Sequence, residues 1–222
     1  MSSAPAAAPA IPRTLFVFSL FYGGMVCMAG VLGVKQVALG SLPLFGPLAV
    51  EAGIFAFLML VALGSSVAEL YGQRTATLLV RLGFVPMFAA ALLIQIVLLL
   101  PTDKGMYPPA VAAFPIVVGQ GARMMLAGFI SYGTSQTLNV LIFAKLSRGG
   151  GKLLWLRGMI ASVVSQIIDT LLFITISFLG ERPILGLMVG QMMTKVLLSI
   201  ILVPWLITGL VAFGRWLDAR RV

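Results

Sequence analysis

Six polar residues of this chain recur as a pattern inside apolar sequence. Ser135-Gln136-Thr137-Leu138-Asn139 and Ser165-Gln166-Ile167-Ile168-Asp169 both read S-Q-x-x-[N/D], and a phenylalanine follows each at the same offset, Phe143 and Phe173. Positions i and i+3 share a helix face, so each run presents an amide beside a second polar group. Amides both donate and accept hydrogen bonds, and a carboxylate accepts from two donors. Such groups are costly in lipid and face a partner helix or a cavity. Two matching stripes suggest one polar pocket shared between helices.

Asp169 stands out among them, because Ile167-Ile168 and Leu171-Leu172-Phe173 flank it. A carboxylate there must be paired, solvated by a cavity or protonated. A buried pair with Arg123 or Lys195 is one reading. A functional site is favoured, because Gln166 shares the face of Asp169. Arg123 and Lys195 are the two cations inside apolar runs, and Lys195 follows Gln191 by one helical turn. Either cation could neutralise a carboxylate or hold a substrate carbonyl. Glu69 is either a helix-end carboxylate paired with Arg74 or Lys145, or an inward-facing site group. Glu51 is read as interfacial. Trp155 and Arg157 follow Gly149-Gly150-Gly151-Lys152 in a loop. By composition they are an interfacial anchor beside a topogenic arginine, with stacking by Trp155 as the functional alternative.

The elements that must position these residues are transmembrane helices. The chain of 222 residues is 60% hydrophobic and only 9% charged, with a mean hydropathy of +1.11, against about 25% charged residues in soluble domains. An all-α integral membrane protein is expected, with six helices over roughly 14–34, 45–68, 77–100, 115–144, 158–179 and 184–213. The fourth and sixth exceed one crossing, which implies tilt, a kink or extension. The Ala/Pro-rich residues 1–13 are expected to form a disordered tail before a single membrane domain, 14–222. The Gly/Pro-rich stretch Gly40–Pro47 predicts an irregular loop. Glycines 23, 24, 30 and 33 suit close helix packing. Ten basic residues would lie on one side (Arg13, Arg74, Arg81, Lys145, Arg148, Lys152, Arg157, Arg215, Arg220, Arg221) and three on the other (Lys35, Lys104, Arg182). The positive-inside rule then puts both termini in the cytoplasm.

The net charge of +9 is explained by this topology, so no nucleic acid partner is expected. With no histidine, a single cysteine (Cys27) and no G-x-x-x-x-G-K-[ST] motif, the chain offers no zinc site, no internal disulfide, no usual acid–base group and no nucleotide hydrolysis of its own. No cofactor and no enzyme activity are expected.

Glu69-Leu70-Tyr71-Gly72, the run from Arg123 to Asn139, Trp155-Leu156-Arg157, Ser165 to Thr170, and Gly190-Gln191 with Lys195 together resemble the vitamin uptake transporter family of queuosine-precursor transporters. The resemblance covers most of the chain from about residue 60 onward. It departs from the family pattern at Ser65 and Asn139, where aspartate is common. The resemblance implies a six-helix bundle similar to the substrate-binding subunits of energy-coupling-factor transporters. It also implies a bacterial inner-membrane importer of 7-deazaguanines such as 7-cyano-7-deazaguanine. The site it implies comprises Glu69, Arg123, Gln136, Asn139, Trp155, Arg157, Gln166, Asp169, Gln191 and Lys195. Its partners would be a deazapurine base and the lipid bilayer, with a homo-oligomer left open. Two other readings stand beside it: a substrate-capture subunit that depends on an ATPase module, and a structural membrane subunit with no ligand.

Overall fold

A computed structural model of the chain describes residues 11–42, 46–119, 121–148, 153–181 and 183–220. The first ten residues of the expected tail, the Gly149–Lys152 loop, Arg182 and Arg221 lie outside the described residues. The chain begins with α1 (Arg13–Leu32). A hairpin follows, β1 (Gln36–Leu42) and β2 (Gly46–Glu51), antiparallel with Gln36 opposite Glu51 and an irregularity between Ala38 and Ser41. Five helical stretches complete it: α2 (Gly53–Leu82) with α3 (Phe84–Leu99), α4 (Pro108–Val118), α5 (Ala122–Arg148), α6 (Leu154–Phe178) and α7 (Leu185–Ala219).

The hairpin corrects two expectations. The described parts of Gly40–Pro47, expected as an irregular loop, belong to the two paired strands, and the segment expected from residue 45 is a strand up to Glu51, with helix only from Gly53; apart from this hairpin the expected all-α membrane class fits. Val50 is fully buried and packs with Ile54, Leu58 and Val203, so β2 is tied to α2 and α7. The expected loop around Trp155 and Arg157 is also corrected. Leu154–Arg157 already forms the first turn of α6, since no Gly or Pro interrupts these good helix formers.

Two glycines shape the middle of the chain. Gly72 lies inside α2 at φ 85° and ψ 164°, a region essentially restricted to glycine. It breaks the helix after Tyr71. Gly83 keeps helical angles, so the second part of α2 runs on into α3. A Cβ at Gly83 would collide with Tyr132 Oη. That hydroxyl donates to the Val80 carbonyl at 3.0 Å and meets Tyr22 Oη at 3.1 Å. The fourth expected segment is interrupted near residues 119–121, where α4 and α5 meet at 47°.

Four helical stretches are long and apolar enough to cross a membrane: Arg13–Leu32, Gly53–Leu99, Leu154–Phe178 and Leu185–Ala219. The bent α4–α5 pair makes a fifth. The chain is therefore a multi-pass helical membrane protein. α3 and α4 bury no residue. Their exposed Phe88, Leu92, Leu93, Ile96 and Ile116 form a surface suited to lipid. The main core joins Phe18, Tyr22 and Val26 of α1 to Leu60, Leu63, Val67 and Val80 of α2 and to Tyr132 and Val140 of α5.

Candidate functional site

Both polar stripes are buried. Ser135, Gln136, Asn139, Ser165 and Gln166 have no exposed surface, and Asp169 has 5%. α5 and α6 lie antiparallel, because Ser135 meets Asp169 while Phe143 meets Arg157. A stripe that repeats in the same chain direction on two antiparallel helices sends its ends apart. Phe173 consequently lines a cavity, whereas Phe143 lies under the Arg157 guanidinium, 5.0 Å from ring centre to Cζ.

That cavity has a volume of about 680 Å³ and is partly open. Asp169, Gln191 and Lys195 line it, along with Glu51, Gln36 and Gln95. Its aromatic surface comes from Phe57, Phe129, Tyr132, Phe173 and Phe178. Lys195 Nζ lies 3.1 Å from Asp169 Oδ2, with both side chains 7% exposed. Ser135 Oγ donates to Asp169 Oδ1 at 3.3 Å. Of the two candidate cations, Lys195 is thus the partner of Asp169. One turn along α7, Gln191 Nε2 donates to Glu51 Oε1 at 3.2 Å.

Off the cavity lining lie the amides. Gln136 and Gln166 have both side-chain polar atoms buried with no hydrogen-bond partner among the described residues. Asn139 Nδ2 donates to Ser65 Oγ at 3.1 Å and to the Val61 carbonyl at 3.2 Å, while its Oδ1 is unpartnered. Ser65 and Asn139 therefore touch each other.

Twelve residues before Asp169 on α6, about 18 Å along the helix, Arg157 closes the opposite end. It meets Glu69 at 3.1 Å and donates to Ser147 Oγ. Glu69 thus pairs with Arg157 rather than with Arg74 or Lys145. Trp155 is 43% exposed, away from this buried column. Arg123 lies elsewhere. It donates to the carbonyls of Ile176 and Leu179 at the end of α6 and pairs with Glu181 at 3.0 Å, with both side chains well exposed. That geometry satisfies the last carbonyls of a helix.

Sequence reasoning set Glu51 aside as interfacial. The hairpin turns it into the cavity wall, and only its place immediately before an apolar helix could have signalled this.

The molecule is thus a multi-pass helical membrane protein with a cavity whose wall carries a buried ion pair. A family profile described as "Putative vitamin uptake transporter" matches residues 51–209, and the chain belongs to this family. The matched stretch begins at Glu51 and contains all ten site residues expected from the sequence. Over 143 residues the chain is 30% identical to a Bacillus subtilis (strain 168) protein named "Probable queuosine precursor transporter", covering 62% of this chain and 61% of that protein. No solved structure matches.

Proposed function

We propose that this chain imports queuosine precursors, 7-deazaguanines such as 7-cyano-7-deazaguanine, across the bacterial inner membrane by alternating access. The observation that carries the reading is the pair of orphaned amides. An unsatisfied buried polar group costs about 1–3 kcal/mol, and Gln136 and Gln166 leave four such atoms unmet. They lie between the Asp169–Lys195 pair on the cavity and the Glu69–Arg157 pair at the far end. A guanine-like edge has N–H donors and a carbonyl acceptor, which two amides and a carboxylate can meet. Stacking on an aromatic wall adds about 1–3 kcal/mol per base in nucleic-acid systems. The family and the name of the Bacillus protein support the same substrate class.

Alternating access then means exposing this column first through the cavity and next past Glu69 and Arg157, the usual arrangement for secondary transporters. Six crossings suit it. Split at Gly72, the long α2–α3 stretch gives 53–71 and 73–99, about 28 and 40 Å long at about 1.5 Å per residue. With α1, the α4–α5 pair, α6 and α7 this makes six, the helix count of energy-coupling-factor substrate-binding subunits. The test is direct binding. Purified protein is heated with 7-cyano-7-deazaguanine, 7-aminomethyl-7-deazaguanine or queuine, and tRNA queuosine is measured in cells that express the chain but cannot make precursor. A rise in Tm with at least one base and restored queuosine are expected. A Tm indifferent to all three overturns the reading.

A further inference from the structure

We infer that Asp169 and Lys195 act together as the reader of the base: Lys195 donates to the C6 carbonyl oxygen of a guanine-like ring, and Asp169 accepts from its N1–H and 2-amino group. The inference rests on the importer reading above and adds what makes it selective, the 6-oxo, 2-amino pattern. Both residues line the cavity of about 680 Å³, an ordinary size for a small-molecule site, and each side chain is 7% exposed. Gln136 and Gln166 do not line it, so a base that enters meets the ion pair first.

Donor and acceptor counting shows what the pair can still do. An ammonium has three donors. Lys195 spends one on Asp169 Oδ2, at 3.1 Å, and none on any other described residue. A carboxylate has about four acceptor sites. Asp169 uses one on Lys195 and one on Ser135 Oγ, at 3.3 Å. Ion pairing therefore leaves donors beside acceptor sites. The pair is formally neutral, so a neutral base binds there without stranding a charge. The guanine edge places one acceptor beside two donors, the complement of that order. A 6-amino ring sets a donor against Lys195 and a bare ring nitrogen against the carboxylate, like against like at both points. A site built to hydrogen-bond one pattern rejects the other strongly, because its own buried groups are left unmet. Phe173 lies one turn beyond Asp169 on α6 and lines the same cavity, where it can stack on a ring so held.

The experiment is a binding comparison on the purified full-length protein. Titration calorimetry sets 7-cyano-7-deazaguanine against two analogues, its 2,6-diamino ring and its 2-deamino, hypoxanthine-type ring. Wild type should bind the diamino analogue at least about hundredfold more weakly, as both reading contacts turn repulsive. It should bind the 2-deamino analogue about tenfold more weakly, for one charge-assisted hydrogen bond lost. The exchange Asp169→Lys with Lys195→Asp keeps an ion pair but reverses its order. It should weaken binding of 7-cyano-7-deazaguanine at least about tenfold and narrow the gap to the diamino analogue to within about threefold. A pair that served stability alone would leave that gap as in wild type. Asp169→Asn with Lys195→Met, which keeps no charge, should narrow the gap likewise, and it stands in if the exchanged protein does not fold. Equal wild-type affinity for the 6-oxo and 6-amino rings, or a preference that survives in the folded variants, overturns the reading role of the pair and leaves the importer reading intact. Failure of wild type to bind 7-cyano-7-deazaguanine also overturns that role, and failure with all three bases of the thermal test overturns both.

Discussion

Asp169 shows what one residue can and cannot reveal. Its apolar flanks already required a partner or a cavity, and the structure supplies both, Lys195 at 3.1 Å and the cavity wall. The sequence could not choose between Arg123 and Lys195, because that choice depends on how α5, α6 and α7 rotate against one another. The ion pair raises the stakes of a neutral substitution. Removing one partner of a buried pair strands the other charge, at about 3–5 kcal/mol. Asp169→Asn is therefore expected to lower Tm in detergent, and Asp169→Asn with Lys195→Met to recover most of the loss. An unchanged Tm in the single variant would show that Lys195 finds solvent through the cavity. The amides behave differently, since they have no protein partner to lose. Gln136→Leu and Gln166→Leu should abolish uptake while Tm holds or rises, because a buried orphan is replaced by an apolar group. Wild-type uptake in both variants would mean that the stripes serve only helix packing.

The helices themselves are readable from apolar runs: the first, fifth and sixth expected segments coincide broadly with α1, α6 and α7, while the second and third fall within the one stretch Gly53–Leu99 and the fourth crosses the bend between α4 and α5. What the runs concealed was backbone geometry. Residues 46–51 are as apolar as the helix after them, so hydropathy alone extended the second segment across a strand. The pairing of Gln36 with Glu51 is a tertiary fact with no local signature. Gly72 is the opposite case. It closes the run Glu69-Leu70-Tyr71-Gly72, and its angles show what that run needs a glycine for. Nothing lies within 4 Å of a Cβ built there, so the cost of a side chain is conformational alone. Gly72→Ala is expected to destabilise by about 1–3 kcal/mol, read as a lower Tm. It should also impair uptake more than Tm, because the break places Glu69 against Arg157. A variant with unaltered Tm and uptake would show that the turn tolerates a helical alanine.

At the scale of the molecule, the decisive contacts are those between its two ends. Arg13 donates to the Arg220 carbonyl at 3.0 Å, the Thr14 N–H donates to Asp218 Oδ1 at 3.1 Å, and Tyr71 hydrogen-bonds Asp218. The start of α1, the break before Gly72 and the end of α7 thus share one face. Arg148 reaches Gln73 at 2.8 Å and Arg157 reaches Glu69, which brings the end of α5 and the start of α6 to that face as well. Arg13, Arg74, Arg148, Arg157 and Arg220 gather there. The cavity, the hairpin and the Arg123–Glu181 pair lie toward the other end. Charge counting along the sequence and packing in space therefore divide most of the cations in the same way, by independent routes. The positive-inside rule predicts that this face is the cytoplasmic one. The expectation is that a fluorescent reporter, which folds only in the cytoplasm, lights up when fused at either end. A phosphatase, active only in the periplasm, should be silent after Val222 and active when inserted after Asp103. A phosphatase active after Val222 would reverse the orientation and make the Glu69–Arg157 end the outward one. Activity that differs between the two termini would contradict the paired helix ends themselves.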